Sequence, residues 1–311
     1  MTPGGTATLA RVAAAGVGVV AAGIGWGVAE ARSFALRRVT VPVLPPGQRQ
    51  LRVLHLSDIH LLPGQHAKLE WMSRLAGLEP DLVVTTGDNI ASAASVEPLL
   101  AAWGRLLERP GVFVWGSNDY TEPSFAHPAR YLVRPSSDVP RITPELPWRE
   151  LGARLSSHGW VDLNHHRARL EIAGRTVEFR GTDDAHLHRD DYSLVAGPAG
   201  PDVDLSIGVT HAPYLRILDA MTRDDVDLIF AGHTHGGQVC LPWKGALVTN
   251  CDLDTKRAKG LHTHTLTDGS GRDQTSWLHV SAGLGSSPFA PYRIACRPEA
   301  TLLTLVPRAS D

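Results

Sequence analysis

Residues 226–239 read VDLIFAGHTHGGQV, and this stretch does most to decide the fold. A short apolar run leads directly into Gly232, and histidines follow at positions 233 and 235. The run predicts a buried strand, and the glycines allow a sharp turn with unusual backbone angles. Taken alone, the stretch is compatible with an ordinary turn or with a metal site that uses His233 and His235.

Four other predicted strands end in the same way, with oxygen or imidazole side chains directly after an apolar run. The four exits are Asp58-Ile59-His60 after residues 51–57, Gly87-Asp88-Asn89 after 82–86, Gly116-Ser117-Asn118-Asp119 after 111–115, and His211 after 205–210. Ligands gather at the carboxyl ends of strands in α/β sheets, so neighbouring strands would bring the exits together. Each motif alone is typical of a turn, but in this order the set predicts one metal site.

The spacing within the motifs suits shared ligation. Residues i and i+2 of an extended segment point the same way, so Asp58 and His60 are expected to hold one ion together. The same offset relates His233 to His235 across their glycine-flanked turn.

Two further residues would extend the site to a second ion. Asp88 has two carboxylate oxygens and is the natural candidate to bridge two cations, and a carboxamide oxygen from Asn118 would serve the second one. Nitrogen and oxygen ligands without sulfur suit Mn, Fe, Zn or Mg ions but do not choose among them.

Alternation of strands and helices in the first half, and a strand-rich second half, predict a layered α/β or α+β fold. Helices are expected over residues 67–78, 95–108 and 148–158, and residues 121–147, with six prolines, are expected to form a long surface excursion. Besides the five strands already described, the pattern predicts strands over residues 34–43, 167–174, 175–182, 274–283 and 300–306.

Composition excludes several classes of protein. The 311 residues are 43% apolar, with 30 basic and 32 acidic side chains. No long basic run is present, so a nucleic-acid-binding patch is not expected. Three cysteines without a CxxC motif argue against a disulfide framework and a zinc–thiolate site. A Cys240–Cys251 bridge stays open for a domain that faces an oxidising space.

The amino-terminal segment contains eighteen residues without a charge, residues 12–29. About 20 apolar residues span a bilayer, so residues 1–33 are interpreted as a membrane anchor or a signal segment, with a soluble helix as the third alternative. Arg11 before the run and Ala29-Glu30-Ala31 after it fit a cleaved signal. Five arginines between residues 32 and 52 favour a cytoplasmic location for the domain that follows, whereas a signal peptide would place that domain on the opposite side of the membrane.

The blocks SDIH, GDN, GSND, THAP and GHTHGGQV resemble those of the calcineurin-like metallophosphoesterases, over roughly residues 50–290. The resemblance implies an α/β fold for residues 34–311, a two-sheet β-sandwich flanked by helices, with a dinuclear metal centre at one edge. It places Asp58, His60 and His235 on the first ion. Asp88 would bridge, and the second ion would be completed by Asn118, His211 and His233. The likeness is strongest to a small membrane-associated, phosphodiesterase-like branch whose members carry a hydrophobic amino-terminal segment.

The third block departs from the family pattern, which reads Gly-Asn-His-Asp or Gly-Asn-His-Glu. Here it reads GSND, so a histidine that stabilises charge on the transferring phosphoryl group is missing. Either Ser117 stands in the ligand position and Asn118 in the histidine position, or the turn is shifted by one and Asn118 is the ligand. We expect the latter, with Asp119 in the region of the histidine, where a protonated carboxyl group can donate a proton.

Two histidines of the stretch GTDDAHLHRDDY, His186 and His188, are alternative replacements for the missing histidine, although a solvated turn is the more ordinary interpretation of that stretch.

The expected activity is metal-dependent phosphoester hydrolysis, as a phosphodiesterase with a bridging hydroxide as nucleophile. The alternatives are a phosphomonoesterase of the same fold and a catalytically weakened metal-binding membrane protein. A membrane segment close to the first strand suggests a lipid-linked or envelope-derived phosphoester substrate.

Overall fold

Two six-stranded sheets pack face to face in the computed structural model, which describes residues 22–124, 143–241, 243–267 and 269–309. The first sheet has, in spatial order, β1 (Ala35–Leu44), β14 (Glu299–Pro307), β2 (Leu51–Leu56), β3 (Leu82–Thr85), β4 (Gly111–Phe113) and β5 (Val161–Asp162). The second has β12 (Gly260–Thr267), β13 (Asp273–Val280), β9 (Leu228–Ala231), β8 (Leu205–Val209), β7 (Arg175–Gly181) and β6 (His166–Ile172). A small antiparallel hairpin joins β10 (Cys240–Leu241) to β11 (Gly245–Ala246).

Helices cover the outer faces of both sheets. The α-helices are α1 (residues 22–30), α2 (His66–Ser73), α3 (Val96–Trp103), α4 (Ser117–Tyr120), α5 (Trp148–Ser157) and α6 (Leu215–Arg223). Short 3₁₀ helices lie at Arg74–Leu78, Ala93–Ser95, Gly104–Glu108, Tyr192–Leu194, His235–Gly237 and Thr255–Arg257. The mixed α/β fold with two sheets is therefore confirmed.

The apolar core divides into layers that follow this architecture. One cluster lies between the sheets and contains Val53 and Val84 from the first sheet with Phe179 and Phe230 from the second. A second cluster joins the first sheet to α2, α3 and α5, and a third joins the second sheet to α6. Strands β3, β4, β8 and β9 are buried along their whole length, because apolar layers cover both of their faces.

Most predicted elements are present, with two instructive differences. The helices predicted over 67–78 and 95–108 each begin as an α-helix and end as a 3₁₀ helix. In the second case Gly104, with φ of 43°, ends α3, because a left-handed residue cannot continue the α-helix. Helix α6 and strand β12 are additional to the predicted elements. In the predicted excursion, residues 125–142 lie outside the described part, but its ends pair through a bridge between Thr121 and Glu145.

Helix α1 contacts the loop that precedes β14. The Glu30 carboxylate accepts hydrogen bonds from the backbone N–H groups of Ala295 and Cys296, and the N–H of Arg293 donates to Gly27 O at 2.9 Å. Among the described residues, no helix combines the length and the apolar character that crossing a bilayer requires. The part of the predicted anchor before residue 22 lies outside the description.

Replacing Gly111 by alanine tests the packing beneath β4. A Cβ there would overlap the buried indole of Trp160, which stacks on Trp103 at a centroid distance of 5.3 Å. We expect Gly111→Ala to lower the free energy of unfolding by about 1–3 kcal/mol, the cost of overpacking. Gly77→Ala is the matched control, because open space surrounds that residue. Equal denaturant midpoints for the two variants would contradict the packing described here.

Candidate metal centre

The five motifs meet at one edge of the sandwich. Strands β2, β3 and β4 are parallel neighbours in the first sheet, and β8 and β9 are parallel neighbours in the second. Backbone hydrogen bonds then tie the exits together, from Asp58 N to Gly87 O at 2.9 Å and from Gly232 N to His211 O at 2.8 Å. The two sheets are joined where His233 N donates to Asp58 Oδ2 at 2.9 Å. The motifs are therefore brought together by the main chain.

Five of the ligand-type residues turn the backbone into the left-handed region. Asp58, His60, Asp88, His233 and His235 have φ values between 44° and 68°. The expectation that Asp58 and His60 lie on an extended segment is therefore wrong, although their side chains do reach one cluster. Such backbone angles cost energy in most residues, are better tolerated by Asp and His, and concentrate at functional sites.

The first cluster consists of Asp58, His60 and His235. The two imidazole Nε2 atoms are 3.2 Å apart, and Nε2 of His235 lies 3.6 Å from Asp58 Oδ1. Burial lowers the pKa of His60 to about 4 and, together with His60, holds the pKa of His235 well below its ordinary value. Both rings are therefore neutral near pH 7, the form that binds a metal.

The second cluster consists of Asp58, Asp88 and His211 and shares Asp58 with the first. Asp88 Oδ2 lies 3.4 Å from His60 Nε2 and 3.6 Å from His211 Nε2, so one oxygen faces both clusters. Burial opposes charge on Asp88, but His211, His60 and two hydrogen bonds from Asn118 hold its pKa below the ordinary value. An ionised carboxylate thus lies between the two clusters.

His211 is oriented by the main chain of the neighbouring strand exit. Its Nδ1 lies 2.6 Å from Thr86 O, which directs Nε2 toward Asp88. Burial opposes charge on His211, but Asp88, Asp184 and Asp58 raise its pKa to about 9. The surrounding carboxylates therefore favour positive charge at this point, which a proton or a metal ion can supply.

His233 extends the second cluster. Its Nδ1 lies 3.3 Å from His211 Nε2, and its Nε2 lies 3.2 Å from Asn250 O. Its ring is 4.3 Å from that of His186. His233 is thus the contact between the second cluster and the loop after β7.

The structure distinguishes the two histidines of that loop. His186 is fully buried, and its Nδ1 lies 3.1 Å from the Tyr214 hydroxyl. His188 is exposed. The interpretation of the whole stretch as a solvated turn is therefore wrong for His186, because the loop folds back against the His233 ring.

Asn118 contacts the shared carboxylate with both its main chain and its side chain. Its N–H donates to Asp88 Oδ1 at 2.7 Å, and its carboxamide Nδ2 donates to Asp88 Oδ2 at 2.6 Å. Gly116 makes this approach possible, because a Cβ there would collide with Asp88 Oδ1 and His211 Cε1. The carboxamide therefore lies beside the oxygen that faces both clusters.

The Asp119 carboxylate is surrounded by backbone N–H groups. It accepts N–H groups from Asp88 and Asn89 at 2.7 Å each and from Gly116 at 3.0 Å, with a longer contact to Ile90 N. Burial and the charge of Asp88 raise its pKa to about 7, against these hydrogen bonds. Both oxygens are engaged by the main chain, which suits a positioning role, and the expectation that Asp119 donates a proton stays a prediction.

Arg293 is a contact that the sequence did not reveal. It is fully buried, its Nη2 lies 3.2 Å from His235 Nδ1, and its guanidinium also donates to Gly285 O. No motif surrounds it, and it follows His235 by 58 positions in the chain. Only the fold brings this cation behind the first cluster.

The donor set fits divalent cations. An ion with bonds of about 2.1 Å holds neighbouring ligand atoms roughly 3.0–3.4 Å apart. Within the clusters the two imidazoles are 3.2 Å apart, and the His235–Asp58 and His211–Asp88 contacts are 3.6 Å each, close to that range. Neutral imidazoles and ionised carboxylates are the ligands expected for borderline and hard cations.

A comparison with protein families agrees with this geometry. The family model for calcineurin-like phosphoesterases matches residues 51–237. The chain belongs to this family. The matched range runs from β2 to the last glycine after His235 and contains every residue of the two clusters.

Several relatives are named as metallophosphoesterases. The Bacillus subtilis uncharacterized metallophosphoesterase YkoQ is 27% identical over 262 residues, which cover 82% of this chain and 84% of the relative. The bovine transmembrane protein with metallophosphoesterase domain is 31% identical over 212 residues, 66% of this chain and 45% of the relative. The UDP-2,3-diacylglucosamine pyrophosphatase LpxG of Chlamydia trachomatis is 26% identical over 284 residues, 81% of this chain and 83% of the relative. This chain thus matches less than half the length of the bovine protein.

Asp119→Asn tests the positioning role. The amide can accept through only one oxygen, so backbone N–H groups beneath the Asp88 turn lose their partner. We expect the free energy of unfolding to fall by about 1–3 kcal/mol and metal affinity to weaken with it. Asp254→Asn is the control, since that exposed carboxylate also accepts a backbone N–H, from Lys256 at 2.7 Å. Full stability and metal affinity combined with lost turnover would instead favour Asp119 as a proton donor.

Proposed function

We propose that this chain is a metal-dependent phosphoester hydrolase that acts on phosphodiesters with two divalent ions. The observation that carries the proposal is the pair of buried clusters that share Asp58 and face the same Asp88 oxygen. Membership of the calcineurin-like phosphoesterase family supports the reaction class. Mn, Fe, Zn and Mg all suit the donor set.

The ligand assignment follows the contacts. Asp58, His60 and His235 would hold the first ion, and Asp88 would be shared. The remaining three ligands, all within reach of Asp88 or of one another, would complete the second ion: Asn118, His211 and His233. The Asn118 carboxamide would present its oxygen to that ion after a half-turn about its last bond.

The chemistry of bound divalent ions is to polarise phosphoryl oxygens and to lower the pKa of water. The chain itself would orient the groups around them. Thr86 O holds the His211 ring, and the amide cradle of Asp119 holds the Asp88 turn. Rigid placement of this kind matters because small displacements of reacting groups cost large factors in rate.

Two groups besides Asp119 are candidates for the role of the missing histidine. Asn118 lies against the shared carboxylate, and His186 lies beside His233 with its ring held by Tyr214. We propose His186 as the acid–base group on the side of the second ion. A positioned group of this type contributes about 10²–10⁴-fold to the rate.

We further propose a lipid-linked or envelope-derived phosphoester as substrate, and attachment of residues 34–311 to a membrane through residues 1–33. The support is the uncharged segment 12–29, relatives named transmembrane proteins and a relative named for a diacylglucosamine nucleotide. The arginines after the segment favour the cytoplasmic side.

A phosphomonoesterase of the same fold is the alternative activity. The departure of GSND from the family pattern favours, as a second candidate, a weakened enzyme that mainly binds metal.

Asp88→Ala is the direct test. Purified full-length protein with Mn²⁺ should hydrolyse bis(p-nitrophenyl) phosphate faster than p-nitrophenyl phosphate, and the variant should lose both turnover and bound metal. Asp219→Ala, which removes a carboxylate on α6, should retain both. Full activity of Asp88→Ala would refute the assignment. The reverse order of the two substrates would favour a monoesterase, and bound metal without turnover would favour the weakened protein.

The paired variants Asn118→Ala and His186→Gln separate ligand from acid–base roles. If Asn118 is a ligand, its removal should weaken Mn²⁺ binding. His186→Gln should leave Mn²⁺ affinity unchanged and lower kcat about 10²–10⁴-fold, with a changed pH profile. Calorimetry and steady-state kinetics measure the two effects. A loss of kcat in Asn118→Ala at unchanged metal affinity would place Asn118 in the histidine position.

A further inference from the structure

A chain of buried hydrogen bonds leads from the second sheet to Asp58. It starts at His279 on β13, passes through His55 on β2 and the hydroxyls of Thr86 and Ser57, and ends at Asp58 Oδ2. We propose that these four residues are positioning residues that fix Asp58 as a one-oxygen ligand of the first ion. The inference rests on the proposed function, since it concerns the ligand that the function requires.

Each link is short, and no member is reached by solvent. Nδ1 of His279 and Nδ1 of His55 are 2.8 Å apart, and Nε2 of His55 is 3.0 Å from Thr86 Oγ1. Thr86 Oγ1 is 2.6 Å from Ser57 Oγ, which in turn contacts Asp58 Oδ2. All five side chains are at most 1% exposed. Water cannot substitute for a missing link without rearrangement of the core.

The direction of every bond follows from proton counting. The last acceptor is the Asp58 carboxylate, so Ser57 must donate its single hydroxyl proton to it and accept from Thr86. Thr86 has then used its own proton and must accept from Nε2–H of His55. Nδ1 of His55 is consequently an acceptor, and His279 must donate from Nδ1–H. The chain thus specifies one tautomer for each histidine.

Both histidines can meet this requirement. Burial lowers the pKa of His279 to about 3 and, with His279 as a second cause, holds the pKa of His55 well below its ordinary value. Each ring therefore carries one proton at neutral pH. If only the two histidines were reversed, Thr86 would donate to His55 and Ser57 to the ionised Asp58, which leaves no proton between Thr86 and Ser57, an arrangement that buried hydroxyls avoid.

Gly232 leaves room for this chain of hydrogen bonds. A Cβ at this position would collide with Ser57 Oγ, Asp58 Oδ2 and Thr86 Oγ1. The first glycine of GHTHGG therefore lies directly against the chain, and no larger residue fits there. This close packing links the motif that carries His233 and His235 to the orientation of Asp58.

The hydrogen-bond chain places the two carboxylate oxygens of Asp58 in different environments. Oδ2 accepts from Ser57 Oγ and, at 2.9 Å, from His233 N. Oδ1 lies 3.6 Å from His235 Nε2, with only a longer contact to His233 N at 3.2 Å. Oδ1 is the oxygen that faces the first cluster, and outer hydrogen bonds of this kind tune metal affinity.

Thr86 offers a matched pair of variants. Thr86→Val keeps the shape and removes the hydroxyl, and Thr86→Ser keeps the hydroxyl. Titration of Mn²⁺ into metal-free full-length protein should show about 10–100-fold weaker binding to Thr86→Val and nearly unchanged binding to Thr86→Ser. Thr222→Val is the control, since it removes another buried hydroxyl pair, with Ser276 at 3.0 Å, far from the clusters. Equal Mn²⁺ affinity of Thr86→Val and wild type would overturn the proposal.

A second measurement needs no variant. Nitrogen-15 NMR of the metal-free wild-type protein should show His279 as the Nδ1–H tautomer and His55 as the Nε2–H tautomer. The opposite tautomer at either ring would overturn the chain even if Thr86→Val failed to fold. The two proposals fail separately. A wild-type protein that binds no Mn²⁺ would end the proposed function and with it the role toward an ion, whereas wrong tautomers would end only the positioning chain.

Discussion

Parallel strands place their carboxyl ends at a common edge, but a strand that simply continued would carry its polar side chains away from that edge. The main chain must turn soon after the strand ends, and after β2, β3 and β9 it does so within two to four residues, through left-handed angles at Asp58, His60, Asp88, His233 and His235. Aspartate and histidine tolerate these angles better than most residues and also bind metals. The same residues thus satisfy the backbone and the chemistry, which explains why the motifs are so short.

The electrostatic balance of the pocket depends on what neutralises its carboxylates. Asp58, Asp88 and Asp119 are fully or nearly fully buried at the same edge, and burial of an uncompensated charge is costly. Asp88 is compensated by Asn118 and by His211 as an imidazolium. Burial raises the pKa of Asp58 to about 6, and it raises the pKa of Asp119 to about 7 although backbone amides donate to that carboxylate, so both are less well compensated. Divalent ions would relieve this deficit, so metal binding and the stability of this edge are coupled.

The sequence predicted the parts of this site that depend on local order. Apolar runs that end in Asp, Asn or His mark strand exits, and parallel pairing brings them together, so all seven proposed ligands could be named in advance. Contacts between residues that are far apart in the sequence could not be predicted from it. Arg293 reaches His235 from a loop without a motif, and His55 reads as an ordinary strand residue until β13 is packed against it. The backbone N–H groups that surround Asp119 could not be foreseen either, because the sequence cannot show which way a carboxylate at a turn points. Helix α6 was missed although Ile217, Leu218 and Met221 have helical spacing.

The contact between α1 and the loop before β14 bears on how the protein can be shortened. Arg293 is hydrogen-bonded to Gly27 O through its backbone N–H and to His235 through its guanidinium. In the same loop, the backbone N–H groups of Ala295 and Cys296 donate to the Glu30 carboxylate. Trimming the chain at residue 33, a natural choice for making a soluble form, would strip these acceptors from the segment that supports the first cluster. A shortened protein that begins at residue 22 keeps these acceptors and, of the uncharged segment, loses only residues 12–21.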